Sequence, residues 1–184
     1  MDQETGFEKY REYLRFLARV GLDPRLRARL DPSDIVQDTF LEAYQARRGY
    51  EERTAEAEAA WLRRILAHNL ANAHRDHHRE KRDVDRERSI EAALDRSSIR
   101  LGGWLAASDP SPSRQAMQKE RALRLAAAIG SLPEDQSEAL LLHRWHGWQI
   151  NEIAEHLGVS RFTVTRLLRR GIEALRRKIE EIEA

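Results

Sequence analysis

Residues 153–171 read IAEHLGVSRFTVTRLLRRG. A short apolar-patterned helix, a glycine turn at Gly158, a serine N-cap at Ser160 and a second, arginine-rich helix follow in the order of a helix-turn-helix. On a helical wheel Val164, Leu167, Leu168, Ile172, Leu175 and Ile179 share one face, while Phe162, Arg166, Arg169 and Arg170 point the other way. An apolar stripe backed by arginine fits a helix that buries one side in a core and offers the other to a DNA major groove. There guanidinium groups bond guanine edges and phosphates. A solvated amphipathic helix would carry the same stripe. Against it stand the preceding helix, the glycine turn and the charge of residues 161–178, seven basic side chains to the single Glu173.

The rest of the composition points to helices as well. Of the 184 residues 34% are charged and only 7% aromatic, where about 25% charged is usual for a globular chain. That balance favours helices with solvated faces and disfavours β architectures. The length suits one medium domain or two small ones, and two small ones are expected. The absence of cysteine removes disulfide frameworks, zinc ribbons and thiol catalysis. No apolar run approaches the roughly 18 residues a membrane span needs. The opening MDQETGFEKYREYL is polar and acidic, unlike a secretory signal, so a cytoplasmic protein is expected.

Walking back from the helix-turn-helix, Ser131-Leu132-Pro133-Glu134 fits a capping box opening a helix that ends near His143, preceded by a helix from about Lys119 to Ile129. Ser108 to Ser113, SDPSPS, has the signature of a linker. Before it, IEAALDRSSIRLGGWL predicts a short helix packing Leu94, Ile99 and Trp104. In the first third, apolar spacing predicts a helix over Phe7 to Leu30, interrupted near Gly21 and Asp23-Pro24. A second helix starts at Asp31-Pro32 and stops before Gly49. YEERTAEAEA reads as an acidic loop, and Trp61 opens the third helix. The expected fold is all-α: two small helical domains, 1–83 and 119–184, joined by a linker, 84–118, the C-terminal domain being the helix-turn-helix.

WLRRILAHNLANAHRDHHREKR, residues 61–82, poses a choice between metal and nucleic acid. Leu62, Ile65, Leu66, Asn69, Leu70 and Ala73 form its buried face. Arg64, His68, Asn72, Arg75, Arg79 and Arg82 lie opposite, with Trp61 at the edge. Positive charge, amide and aromatic together suit a phosphate backbone and the stacking of unpaired bases. His74 and His78 have the i, i+4 spacing of paired metal ligands, but no glutamate stands between them as in H-E-x-x-H, and Arg75 and Arg79 would repel a cation. A hydrolase built on His68, His74, His77 and His78 would also lack a paired carboxylate. No metal, cofactor or catalytic residue is therefore expected. In the second helix Ile35, Val36, Phe40, Ala43 and Tyr44 make the core face, whereas Asp34, Asp38, Leu41 and Gln45 form an outward row with Gln37 beside them. DNA would repel that row, and an outward leucine suits a protein contact.

With these residues in hand, the chain resembles a bacterial sigma factor of the extracytoplasmic-function type over nearly all its length. DPSDIVQDTFLEAYQ is similar to the family's core-polymerase-binding helix, and WLRRILAHNLANAHRDHHR to its promoter-melting, downstream-element helix. LPEDQSEALLLH and INEIAEHLGVSRFTVTRLLRRGIEALRRKI resemble its final domain. The resemblance implies that Asp34, Gln37, Asp38 and Leu41 meet the coiled coil of the polymerase's largest subunit. It implies that Trp61, Arg64, His68, Asn72, Arg75 and Arg79 serve melting and the minus-ten element, a flipped base being captured by the loop before Trp61. Thr165, Arg166, Arg169 and Arg170 match positions that read the minus-thirty-five element, and Arg161 completes the expected DNA-binding set. The implied partners are core RNA polymerase and promoter DNA, with an anti-sigma protein left open as a third. The chain departs from the family pattern at Ala57 and Glu58, where an aromatic is common, at Asn72, where aspartate is common, and at Phe162, where glycine is common. The competing reading is a two-domain helix-turn-helix regulator that is not a polymerase subunit.

Overall fold

The computed structural model describes residues 6–27, 29–46, 55–78, 84–104 and 114–183, and among these it is all helical. A 3-10 turn, Glu8–Tyr10, leads into α1 (Arg11–Gly21), which buries Tyr13, Leu14, Phe16, Leu17 and Ala18 along one side. It stops where Leu22 turns extended and Asp23-Pro24 follows, since proline restricts the residue before it to extended conformations. Asp31 opens α2 (Pro32–Ala46): its carboxylate accepts from the Ser33 N–H at 2.8 Å and its carbonyl from the Asp34 N–H at 3.1 Å.

Helix α3 spans Ala55–His78. It begins ahead of Trp61, correcting the loop expected there, because Ala and Glu are strong helix formers and AEAEA needs no help to join the helix. Leu62, Leu66 and Leu70 are fully buried at four-residue spacing. The stretch read as linker holds the 20-residue helix α4 (Val84–Gly103). Leu94 and Leu101 are buried and Trp104 packs on the core, whereas Ile99, expected to pack, is 70% exposed. The prolines of SDPSPS, the acidic loop 51–54, Gly49, Arg79 and Arg82 lie outside the described residues.

Four further helices complete the chain: α5 (Arg114–Gly130), α6 (Glu134–Arg144), α7 (Ile150–Leu157) and α8 (Arg161–Glu183). The capping box expected at Ser131–Glu134 is absent. Pro133 occupies the N-cap without a side-chain bond, and the Ser131 hydroxyl instead donates to the Ala128 carbonyl at the end of α5, at 2.8 Å. A capping box does form at α7, where Gln149 and Glu152 bond reciprocally and the Gln149 N–H reaches the Glu152 carboxylate at 2.7 Å. Gly171 stands in mid-helix because α8 crosses α6 closely: a Cβ there would come within 2.7 Å of the buried Leu140 side chain. The close crossing offsets the roughly 1 kcal/mol that glycine costs in a helix.

The two halves touch. Helix α1 packs on α5. The Trp145 ring, at the end of α6, stands edge-on to Phe16 of α1 at 4.9 Å and to Trp104 at 5.1 Å. The buried side chains of both halves join in one apolar cluster.

Candidate nucleic-acid interface

Helices α7 and α8 are joined by a turn in which Gly158 takes the left-handed conformation (φ 66°), a position glycine occupies without strain. The Ser160 hydroxyl then accepts the Thr163 N–H at 3.1 Å and fixes the first turn of α8. Val164, Leu167, Leu168, Leu175 and Ile179 are buried. Arg161, Thr165, Arg166, Arg169 and Arg170 are all exposed, so the structure brings the five C-terminal candidates to the solvent side of one rigid helix. Among the described residues Arg161, Arg166 and Arg170 have no carboxylate partner. Arg169 stands 3.7 Å from Glu173. A face of cationic forks held on a packed helix can enter a groove and bond bases or phosphates without first breaking strong contacts of its own.

The stripe on α3 is also assembled, but it is not bare. The Arg75 guanidinium donates to the Asn72 amide oxygen at 2.9 Å, the Asn72 amide nitrogen lies 3.1 Å from His68 Nε2, and His68 Nδ1 lies 3.3 Å from a Glu87 carboxylate oxygen. Arg75 fixes the Asn72 orientation, so the amide donates to Nε2 and the imidazole proton sits on Nδ1, facing Glu87. Arg64 pairs with Glu91 at 3.3 Å and Arg63 with Asp95 at 2.7 Å. Glu87, Glu91 and Asp95 thus form a carboxylate row along α4, laid beside the basic face of α3. Sequence reasoning missed this row, although its four-residue spacing is visible in the chain. Trp61 is half-buried, its ring 5.9 Å from that of Phe7.

The histidines separate. His74 is buried and its Nε2 lies 3.3 Å from the Gly21 carbonyl at the end of α1, so it serves as a donor to an otherwise open helix end. The side chains of His77 and His78 lie outside the described residues, among which no cluster of three or more His, Asp or Glu could hold a metal ion. On α2, Asp34, Gln37, Asp38 and Leu41 are all exposed, Leu41 to 57%, over a core face of Ile35, Val36, Phe40 and Ala43.

Sequence reasoning also missed the polar contact between halves. Arg19 of α1 donates to Ser137 and Glu138 of α6, each at 2.7 Å. Arg27, in the turn after α1, reaches Glu138 at 2.6 Å and His146 Nε2 at 2.6 Å. These pairs are separated by more than a hundred residues and leave no local pattern.

An all-helical chain with a C-terminal helix-turn-helix, an arginine face on the second helix of that motif and a basic stripe on α3 defines a DNA-binding protein of transcription. Residues 8–80 match the family model for Sigma-70 region 2 and residues 122–175 that for Sigma-70 region 4. The chain is 32% identical over 168 residues to the RNA polymerase sigma factor CarQ of Myxococcus xanthus, covering 91% of this chain and 83% of that one. It is 30% identical over 146 residues to the ECF RNA polymerase sigma factor SigK of Mycolicibacterium vanbaalenii, covering 78% of this chain and 66% of that one. The solved structure of the sigma factor RpoE with the anti-sigma factor NepR from Bartonella quintana covers 97% of both chains at 19% identity and a TM-score of 0.35. The chain belongs to the RNA polymerase sigma factors, of the extracytoplasmic-function type, which direct promoter-specific transcription initiation. Among the described residues no helix is long and apolar enough to cross a membrane.

Proposed function

We propose that this sigma factor divides its work among three helices, with 1–83 and 119–184 as its two working units and 84–118 between them. The outward row of α2, Asp34, Gln37, Asp38 and Leu41, docks on core polymerase. The α3 stripe of Arg64, His68, Asn72 and Arg75 holds the minus-ten element together with Arg79, and Trp61 borders the separated strands. Arg161, Thr165, Arg166, Arg169 and Arg170 of α8 read and grip the minus-thirty-five element. The observation that carries this reading is the exposed arginine face of α8 over a buried apolar stripe. The chain contributes no catalytic residue to the polymerase and works in the cytoplasm. Core polymerase reconstituted with the full chain is expected to initiate at defined genomic start sites, mapped by transcript 5′ ends, that core alone does not use. Identical start sites with and without the chain would overturn the reading.

A further inference from the structure

Phe162 is 78% exposed, more than Ile99, Leu41 or Val159, the other exposed large apolar side chains among the described residues. It is the second residue of α8, two positions after the Ser160 cap that fixes the first turn at the Thr163 N–H. Arg166 and Arg169 follow it by four and seven residues, about one and two helical turns, so all three share one row. The apolar stripe of α8 lies on the far side, which leaves the ring no route into the core. Its neighbours Arg161, Thr165 and Arg166 are exposed and polar, a setting that fits a polyanion better than an apolar protein surface. The major groove of DNA offers such a surface with one apolar feature, the thymine C5-methyl group, and phenylalanine is among the side chains that contact it.

We propose that Phe162 is a specificity-determining residue whose ring packs on the C5-methyl of a thymine in the upstream element. The proposal rests on the reading of α8 as the recognition helix. Four residues of helix rise about 6 Å, and base pairs are spaced about 3.4 Å, so this thymine lies within about two base pairs of the contact made by Arg166. The wild-type protein thereby favours thymine over cytosine at one position without any hydrogen bond to it.

Replacing thymine by deoxyuracil removes only the methyl group. On a promoter mapped with the reconstituted holoenzyme, each upstream thymine is replaced in turn, and affinity is measured for wild type, Phe162→Ala, Arg166→Ala and Arg169→Ala. One substitution is expected to cost the wild type about fourfold, the worth of one buried methyl group. Phe162→Ala should bind the thymine promoter correspondingly less tightly and show no loss at that position, whereas Arg166→Ala, weaker throughout, should keep the thymine preference. The proposal is overturned if no thymine is sensitive in the wild type, or if Phe162→Ala retains the same sensitivity, while Arg166→Ala still weakens binding. If Arg166→Ala and Arg169→Ala both bind like the wild type, the recognition-helix reading itself fails.

Discussion

Asp38 and Phe40 stand two positions apart on α2 in opposite environments: the carboxylate is exposed, and the ring is 4% exposed in the core. Asp38→Arg therefore inverts a charge without touching packing. It is expected to weaken binding to core polymerase, measured by co-sedimentation, while the circular-dichroism melt stays within about 0.5 kcal/mol of wild type, as for an ordinary surface change. Unchanged affinity in a folded variant would remove Asp38 from the interface. On α8, Arg166→Ala and Arg169→Ala should each weaken upstream-element binding, and at least one should relax base preference by about 1–3 kcal/mol. Equal losses on every sequence would assign both to phosphate. At this scale the sequence was most readable, because the helical period sorts Val164 from Arg166 and Phe40 from Asp38 before any tertiary contact is known. It was least readable for His74, whose partner is a backbone carbonyl, Gly21, which side-chain pattern cannot announce.

Helix α4 escaped full recognition because its apolar signal is thin: Leu94 and Leu101, a heptad apart, are its fully buried large side chains among the described residues. Charged residues and Ser97-Ser98 fill much of the rest, and tertiary packing rather than pattern holds such a helix. The consequence for the molecule is electrostatic. Glu87 and Glu91 sit against His68 and Arg64, where phosphates would sit if α3 held DNA as proposed, so binding must exchange one set of anions for the other. Arg64 is 68% exposed and Glu91 34%, so this pair is solvent-screened and worth no more than about 1 kcal/mol. Glu91→Gln should accordingly tighten the full chain's grip on a single-stranded minus-ten oligonucleotide by up to about fivefold. The gain should shrink with added salt. An unchanged affinity in low salt would show that α4 does not compete with the strand. Arg63 differs: held by both Asp95 and the Tyr13 hydroxyl, at 2.7 and 3.0 Å, it fastens α4 and α1 to α3 and is structural.

Over the whole molecule, the contact between halves is at odds with the task proposed for it. A compact chain of this length has a radius of gyration of about 16 Å, whereas elements at minus ten and minus thirty-five lie about 25 base pairs, roughly 85 Å, apart along B-form DNA. Arg19, Arg27, Glu138 and His146 must therefore part when both elements are engaged. Burial first, and the Arg27 guanidinium second, hold the His146 imidazole below its ordinary value of 6.5. The backbone of Arg19 and the carboxylates of Glu138 and Asp23 oppose this with smaller effect. Nε2 accepts a hydrogen bond from Arg27 in the closed form, so protonation removes the acceptor and sets two cations against each other. The opened form, with His146 near its ordinary value, binds more protons than the closed form. Closure is thus unaffected well above 6.5, weakens as pH falls through 6.5, and keeps weakening until the depressed value is passed. Small-angle scattering should show the radius of gyration rising between pH 7.5 and 5.5, with helicity retained, and His146→Gln should flatten the rise because its amide oxygen accepts from Arg27 at every pH. Glu138→Ala should open the chain even at pH 7.5. Arg27, 10% exposed, loses its carboxylate there and stands near Arg19, a loss of up to about 3–5 kcal/mol for a buried pair broken on one side. A radius independent of pH in the wild type and unchanged in Glu138→Ala would mean that the aromatic contacts of Trp145 with Phe16 and Trp104, rather than the ionic cluster, hold the halves together.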